Sequence, residues 1–177
     1  MESMSLEDWR ALVDRTNNNA RTRNTRVGSK PRKGKAAPSE HDLQVSCVRW
    51  FRYVYSNESD LLFAIPNGGW RNQVVASKLK AEGVQAGIPD LQLAIPNGKY
   101  HGLFIEMKNG KAGELSQIQR EMIVKLTHHG YACAVCHSFE EFVLTANEYM
   151  SGAEGFHLLQ TAAENIPSIR KMINSIL

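Results

Sequence analysis

Apolar and polar residues alternate with clear periods between residues 39 and 150. Spacings of three and four residues predict helices, whereas spacings of two, or short apolar runs, predict strands. The predicted elements are a helix from Ser39 to about Tyr55, a strand Leu61–Ile65, a helix from about Arg71 to Glu82, strands Asp90–Ile95 and Gly102–Lys108, a helix from about Ser116 to His128, a strand Tyr131–Cys136 and a helix Ser138–Met150. This order predicts an α/β fold in which helices flank a mixed sheet of about four strands.

The phase of the apolar residues predicts which side of each helix is buried. The first helix has an inward stripe of Leu43, Cys47, Trp50, Phe51 and Val54. The helix from Ser116 has a stripe of Leu115, Ile118, Met122, Ile123 and Leu126. Between the two central strands, Pro96-Asn97-Gly98-Lys99 predicts a hairpin turn, so that these strands are expected to be neighbours.

The ends of the chain differ from its middle. We expect a basic, largely disordered arm over residues 1–38, a folded domain over 39–150 and a helical tail over 151–177. Eight basic residues and no acidic one lie between Arg15 and Lys35, which leaves −5 on the remainder of a chain whose total charge is +3. A basic arm on a slightly acidic body suits a protein that meets nucleic acid, although a solvated tail without a partner has the same composition.

Composition excludes several classes of protein. A hydrophobic fraction of 42% is ordinary for a globular domain. No apolar run approaches the roughly 18 residues of a membrane span, and the acidic, polar N-terminus does not resemble a secretory signal. We therefore expect an intracellular, cytoplasmic protein without a membrane partner or a small-molecule organic cofactor.

The cysteines provide a second indication of the compartment. There are three, without the spacing of a disulfide framework, which indicates free thiols in a reducing compartment. The segment Cys133-x-x-Cys136-His137 superficially suggests a zinc site. A zinc knuckle needs a turn between its cysteines and a second ligand pair, whereas this pair lies on an apolar strand, so we interpret both residues as core cysteines.

Two carboxylates and a lysine fall together on the central strands. Asp90 opens one strand, and Glu106 and Lys108 lie two residues apart on the next, so that their side chains share a face. Pairing across the hairpin can bring Asp90 beside Glu106. For an isolated Glu-x-Lys triplet, a salt bridge on a solvated face is the commoner explanation. Here the strand that opens with Pro89-Asp90, the hairpin and the helix that follows favour a site.

A divalent cation would explain two carboxylates placed together, because they repel each other unless one is protonated or a cation lies between them. Mg²⁺ prefers oxygen ligands, which makes Asp90, Glu106 and the main-chain carbonyl of Met107 candidate ligands. Lys108 would then lie where it can orient or polarise an attacking water. Such a set of groups suits the hydrolysis of phosphodiester bonds.

Helical spacing adds two further candidates. Glu40 falls on the inward stripe of the first helix, although the helix dipole also favours a carboxylate in a first turn. Gln119 falls on the apolar side of its helix, although Ser116-x-x-Gln119 also fits a capping box, which explains the glutamine without any chemistry. The two roles of Gln119 can coexist.

The turn after the first strand is a candidate for phosphate binding. Glycines let a backbone approach a phosphate, and an arginine near a helix start can bind one. An ordinary strand-to-helix turn explains the same residues equally well. The candidates for contact with DNA are Asn67, Gly68, Gly69, Arg71 and Lys111.

In combination these motifs resemble the VRR-NUC (virus-type replication-repair nuclease) domain of the PD-(D/E)XK nuclease superfamily. The likeness extends from about Glu40 to His137. It rests on several motifs in the right order: Ile65-Pro66-Asn67-Gly68-Gly69 with Arg71, the segment from Glu82 to Asp90, Glu106-Met107-Lys108, and Leu115-Ser116-x-x-Gln119.

The resemblance implies a restriction-endonuclease-like core with a four-stranded mixed sheet, dependence on Mg²⁺ or Mn²⁺, and cleavage of DNA. It implies that Asp90 and Glu106 bind the metal and that Lys108 is catalytic. It makes Glu40 the acidic residue supplied by a helix and places Gln119 at the edge of the site.

The chain is most similar in type to stand-alone members of the family, which occur in phages and bacteria and resemble Holliday-junction resolvases. We therefore expect DNA and a second copy of the chain as partners. The alternative is a non-catalytic DNA-binding module with the same fold. The set of Asp90, Glu106 and Lys108 favours an enzyme, because binding alone does not need a carboxylate pair that repels phosphate.

Overall fold

A computed structural model of the chain describes residues 39–66, 73–109 and 114–152, together with Ala11. The chain divides into two units, Met1–Pro38 and Ser39–Leu177, and the elements described below belong to the second. The predicted basic arm, the turn around Gly68 and Gly69, Lys111 and the predicted C-terminal helix lie outside the described residues.

The described elements follow the predicted order. They are α1 (Glu40–Val54), β1 (Leu62–Ala64), α2 (Gln73–Ala81), β2 (Leu91–Leu93), β3 (Leu103–Met107), α3 (Gln117–His128), β4 (Ala132–Cys136) and α4 (Phe139–Met150). A 3-10 helix, Ser56–Leu61, connects α1 to β1, and the periodicity did not predict it. Serine caps the N-termini of three helices, at Ser39, Ser116 and Ser138.

The four strands form one mixed sheet in sequence order. β1 pairs with β2 and β2 with β3 in antiparallel fashion, whereas β3 and β4 are parallel. This arrangement confirms the predicted fold class. The strand β3 lies inside the sheet and is buried at all of its positions. Because Leu91 pairs with Ile105, the same register continued by one residue sets Asp90 opposite Glu106.

The connection between β2 and β3 is longer than predicted. Both strands are shorter than their apolar patterns, so residues 94–102 join them, whereas the predicted strands left only residues 96–101 between them. The predicted turn is nevertheless present within this connection. Gly98 has a positive φ of 49°, and Asn97 forms an isolated antiparallel bridge with Tyr100.

Helices cover both faces of the sheet. On one face α1 and α4 pack together, with the Trp50 and Phe142 rings edge to face at a centroid distance of 6.0 Å. On the other face α3 contributes to a core of Phe104, Leu115, Ile123 and Cys133. Among the described residues, no helix has both the length and the apolar character needed to cross a bilayer.

Two residues of the predicted stripes are exposed. Val54, in the last turn of α1, is 46% exposed, and Ile118, in the first turn of α3, is 55% exposed. The core residues Leu115, just before α3, and Ile123, within it, define the buried face of this helix, and Ile118 lies at the edge of that face. Cys47, Cys133 and Cys136 are fully buried, as expected for core cysteines. Burial raises the pKa of the Cys133 and Cys136 thiols to about 12.

Candidate active site

Asp90 is the last residue before β2, and hydrogen bonds hold it in place. It follows the buried Pro89, and its main-chain carbonyl accepts a hydrogen bond of 2.8 Å from the Ile65 N–H. Its Oδ2 accepts a hydrogen bond of 2.9 Å from the Met107 N–H. The carboxylate therefore turns toward the end of β3, where Glu106 and Lys108 lie.

Glu106 is a buried carboxylate with an uneven set of partners. Its side chain is only 2% exposed. The Oε1 atom lies 2.8 Å from the Lys108 Nζ and also accepts a hydrogen bond from the Gln119 Nε2. The Oε2 atom is the one buried side-chain nitrogen or oxygen of the described residues that lacks a hydrogen-bond partner. Buried polar atoms rarely lack partners, so this oxygen needs an explanation.

Burial makes both carboxylates hold their protons more strongly than usual. It raises the pKa of Glu106 to about 7; the hydrogen bond from Lys108 opposes this shift, and the charges of Asp90 and Glu40 add to it. Burial likewise raises the pKa of Asp90, against the Met107 N–H bond and the Lys108 charge. A cation between the two groups would oppose both shifts, because it stabilises the ionised carboxylates.

Glu40 lies beside the site without entering the core. It is exposed in the first turn of α1, so the prediction that it lies on the buried side of this helix is wrong. The helix begins at this residue, beyond the cover of the sheet. Its Oε1 accepts a hydrogen bond of 3.1 Å from the Asn109 N–H, and its charge is felt by both Asp90 and Glu106. The sequence pattern contained no signal for the contribution of Asn109.

Gln119 completes the predicted capping box and also contacts the candidate site. Its Oε1 accepts a hydrogen bond of 2.9 Å from the Ser116 N–H, and the Ser116 Oγ accepts one of 3.3 Å from the Gln119 N–H. These two bonds form the capping box of α3. The other end of the same amide donates to Glu106, which joins the start of α3 to the carboxylate.

The described side chains provide an incomplete metal shell. Among them, no three histidine, cysteine, aspartate or glutamate side chains come together as ligands. Asp90 and Glu106 are two hard oxygen donors, and Mg²⁺ commonly uses one or two carboxylates with water completing its shell. The unpartnered, buried Oε2 of Glu106 fits such a cation. The candidate DNA contacts Asn67, Gly68, Gly69, Arg71 and Lys111 lie outside the described residues.

Comparison with known proteins identifies the family. The model of the VRR-NUC domain family matches residues 34–140, which is more than half of the chain, and the chain belongs to this family. A solved structure described as a VRR_NUC domain protein is 27% identical, with a TM-score of 0.59, and the match covers 68% of this chain and 94% of that one. No curated protein matches the sequence. The family implies a nuclease-type function in DNA processing.

Proposed function

We propose that the chain is an endodeoxyribonuclease that hydrolyses phosphodiester bonds with the help of Mg²⁺ or Mn²⁺. The observation that carries this proposal is the buried Glu106 carboxylate, whose Oε2 has no hydrogen-bond partner among the described residues although Oε1 has two. A purely structural buried salt bridge is stable only when its remaining polar atoms are satisfied. A divalent cation would satisfy this oxygen and relieve the repulsion with Asp90.

Each residue of the site has a proposed role. Asp90 and Glu106, with the main-chain carbonyl of Met107, would hold the cation. When bound, the cation would supply a Lewis acid and lower the pKa of a bound water. Lys108 holds Glu106 in place, and its side chain remains 14% exposed, which leaves its charge within reach of a phosphate. Glu40 orders the backbone just after Lys108 through Asn109.

The substrate class is proposed at a finer level. The family supports DNA as the substrate, and we propose branched or four-way junction DNA, cut by a homodimer. The residues proposed to contact its phosphates are Asn67, Gly68, Gly69, Arg71 and Lys111, whose types suit phosphate binding.

A cleavage assay on linear, flap and four-way DNA, with Mg²⁺ or with EDTA, tests the proposal. We expect the chain to cut DNA when Mg²⁺ is present and not to cut it in EDTA. Asp90→Asn keeps an oxygen that can accept the Met107 N–H while removing the charge, and is expected to abolish cutting. Lys108→Met is expected to slow it by about 10²- to 10³-fold, as for other groups that stabilise developing charge. Lys125→Met, an exposed lysine of α3, is the matched control.

The same assay separates the enzyme from a binding module. If the wild-type chain binds these substrates but cuts none of them with Mg²⁺ or Mn²⁺, the proposal is wrong and a non-catalytic DNA-binding function replaces it. Equal rates for Lys108→Met and Lys125→Met would remove the catalytic role of Lys108.

A further inference from the structure

The start of α3 is hydrogen-bonded directly to the candidate metal ligand. We propose that Ser116 and Gln119 are positioning residues that determine which carboxylate oxygen of Glu106 is presented to the cation. This inference rests on the proposed function and deepens it, because it assigns a task in metal binding to a helix cap.

A hydrogen bond within the capping box fixes the orientation of the Gln119 amide. The Ser116 main-chain N–H is a donor, and it lies 2.9 Å from one end of this amide. Only the oxygen of an amide accepts a hydrogen bond, so the NH₂ end has to face Glu106. The backbone of Gln119 is held in turn by the Ser116 Oγ. The cap therefore fixes both the position and the direction of the donor.

The two carboxylate oxygens of Glu106 have different surroundings. Gln119 Nε2 and Lys108 Nζ both donate to Oε1. Rotation of the carboxylate would break both contacts at once, in a buried environment where lost hydrogen bonds are costly. Oε2, which has no hydrogen-bond partner among the described residues, is thereby left for the proposed cation.

The contacts of residue 119 require a glutamine and not another capping-box residue. Glutamate completes a capping box as well as glutamine does, so the cap alone does not require an amide. A glutamate here would press a second carboxylate against Glu106. Among common capping-box residues, only glutamine accepts from Ser116 and also donates to Glu106.

The helix α4 provides a matched control within the same molecule. Ser138 caps α4, and its Oγ accepts a hydrogen bond of 3.1 Å from the Glu141 N–H, so that Ser138 and Glu141 occupy the helix positions of Ser116 and Gln119. The Glu141 carboxylate instead accepts from the His137 N–H at 2.7 Å. Changes at this cap disturb a helix start without touching Glu106.

The test is calorimetric titration of the full chain with Mn²⁺ in the absence of DNA. We expect Gln119→Met to bind Mn²⁺ about 10- to 100-fold more weakly than the wild type, the usual effect of losing a hydrogen bond to a metal ligand. Glu141→Met is expected to bind as the wild type does. At saturating Mn²⁺, Gln119→Met is expected to regain most of its cleavage rate, because both candidate metal-binding carboxylates remain, and the folded fraction of each variant is checked by circular dichroism without metal.

A second pair of variants covers the case in which Gln119→Met does not fold. Ser116→Ala and Ser138→Ala each remove one N-cap oxygen and are expected to lower the melting temperature similarly, but only Ser116→Ala is expected to weaken Mn²⁺ binding. Equal Mn²⁺ affinities within both pairs would overturn the inference while the wild type still binds and cuts. A wild type that neither binds Mn²⁺ nor cuts DNA would overturn the proposed function itself.

Discussion

Glu106 carries a conflict between stability and the proposed chemistry. Its pKa is about 7 in the folded chain, against an ordinary value of 4.5, chiefly because of burial. The folded state therefore holds more protons than the unfolded state between these values, and stability falls as the pH rises through this window. Without metal, Glu106→Gln is thus expected to raise the free energy of unfolding at pH 8 by about 1 to 3 kcal/mol. Thermal melts in EDTA at pH 4 and pH 8 measure this difference, which should disappear at pH 4.

Two comparisons check this prediction at the same residue. Glu148→Gln, on an exposed position of α4, is expected to leave stability unchanged at both pH values. Addition of Mg²⁺ is expected to reverse the order, because a ligand stabilises only the folded protein that binds it. A Glu106→Gln variant that melts below the wild type in EDTA at pH 8 would contradict the account of burial given above.

The sequence predicted which residues meet at the candidate site, but it predicted few of their contacts. The pattern of strands and helices, with the family resemblance, selected Asp90, Glu106, Lys108, Glu40 and Gln119. The unequal use of the two Glu106 oxygens depends on the end of β3 meeting the start of α3, and the periodicity of the sequence does not predict such a contact. The contact of Glu40 with the Asn109 N–H was unpredictable for a simpler reason, since every non-proline residue has the same main-chain donor.

At the scale of elements, one glycine determines how closely the loop before β2 approaches α3. Gly87 has a φ of +82°, and a Cβ there would lie 2.7 Å from both Cγ2 and the carbonyl oxygen of Ile118. The loop leads to Asp90, and Ile118 precedes Gln119. Gly87→Ala is therefore expected to push the loop and the helix apart, to destabilise the chain by about 1 to 3 kcal/mol and to lower cleavage. Melting temperature and cleavage rate measure the two effects.

Gly83 provides the control for this substitution. It also has a positive φ, of 96°, but no atom lies within 4 Å of a Cβ built there. Gly83→Ala thus tests backbone strain without the steric contact, and is expected to cost stability while preserving cleavage in the remaining folded protein. If both variants lose cleavage equally, strain rather than the approach to α3 is the cause.

The order and type of the elements could be predicted, whereas their ends could not. Strong periodicity correctly predicted α1, α3 and α4. β2 is shorter than its apolar run because hydrogen bonding to β1 and β3, and not the apolar pattern of the sequence, determines where a strand ends. The exposed Ile118 lies at the edge of the buried face of α3, a boundary that the spacing of apolar residues did not show. The 3-10 helix Ser56–Leu61 is a polar segment without a hydrophobic period, so nothing in the pattern indicated it.

At the scale of the whole chain, the basic segment is expected to act through charge. Eight basic residues and no acidic one lie between residues 15 and 35. Deletion of residues 1–35 is expected to weaken DNA binding and to flatten its salt dependence, since each neutralised phosphate contributes roughly −0.9 to the slope of log affinity against log salt. Binding measured at several salt concentrations gives this slope. A variant with glutamine at the eight positions keeps the length of the segment and should behave like the deletion; unchanged slopes in both would remove the segment from DNA binding.

The proposed cleavage of a four-way junction requires an assembly with two active sites. Resolution needs two symmetric cuts, and a two-fold homodimer supplies two equivalent sites through one interface used twice. We therefore expect a dimer by light scattering at micromolar concentration. Mixing the wild type with excess Asp90→Asn should give dimers with a single competent site, which nick a supercoiled cruciform plasmid but do not linearise it. Linear product that falls only in proportion to the wild-type chain would show that each copy acts alone. A monomer that cuts flaps and leaves four-way junctions intact would exclude the resolvase activity, with the nuclease activity still standing.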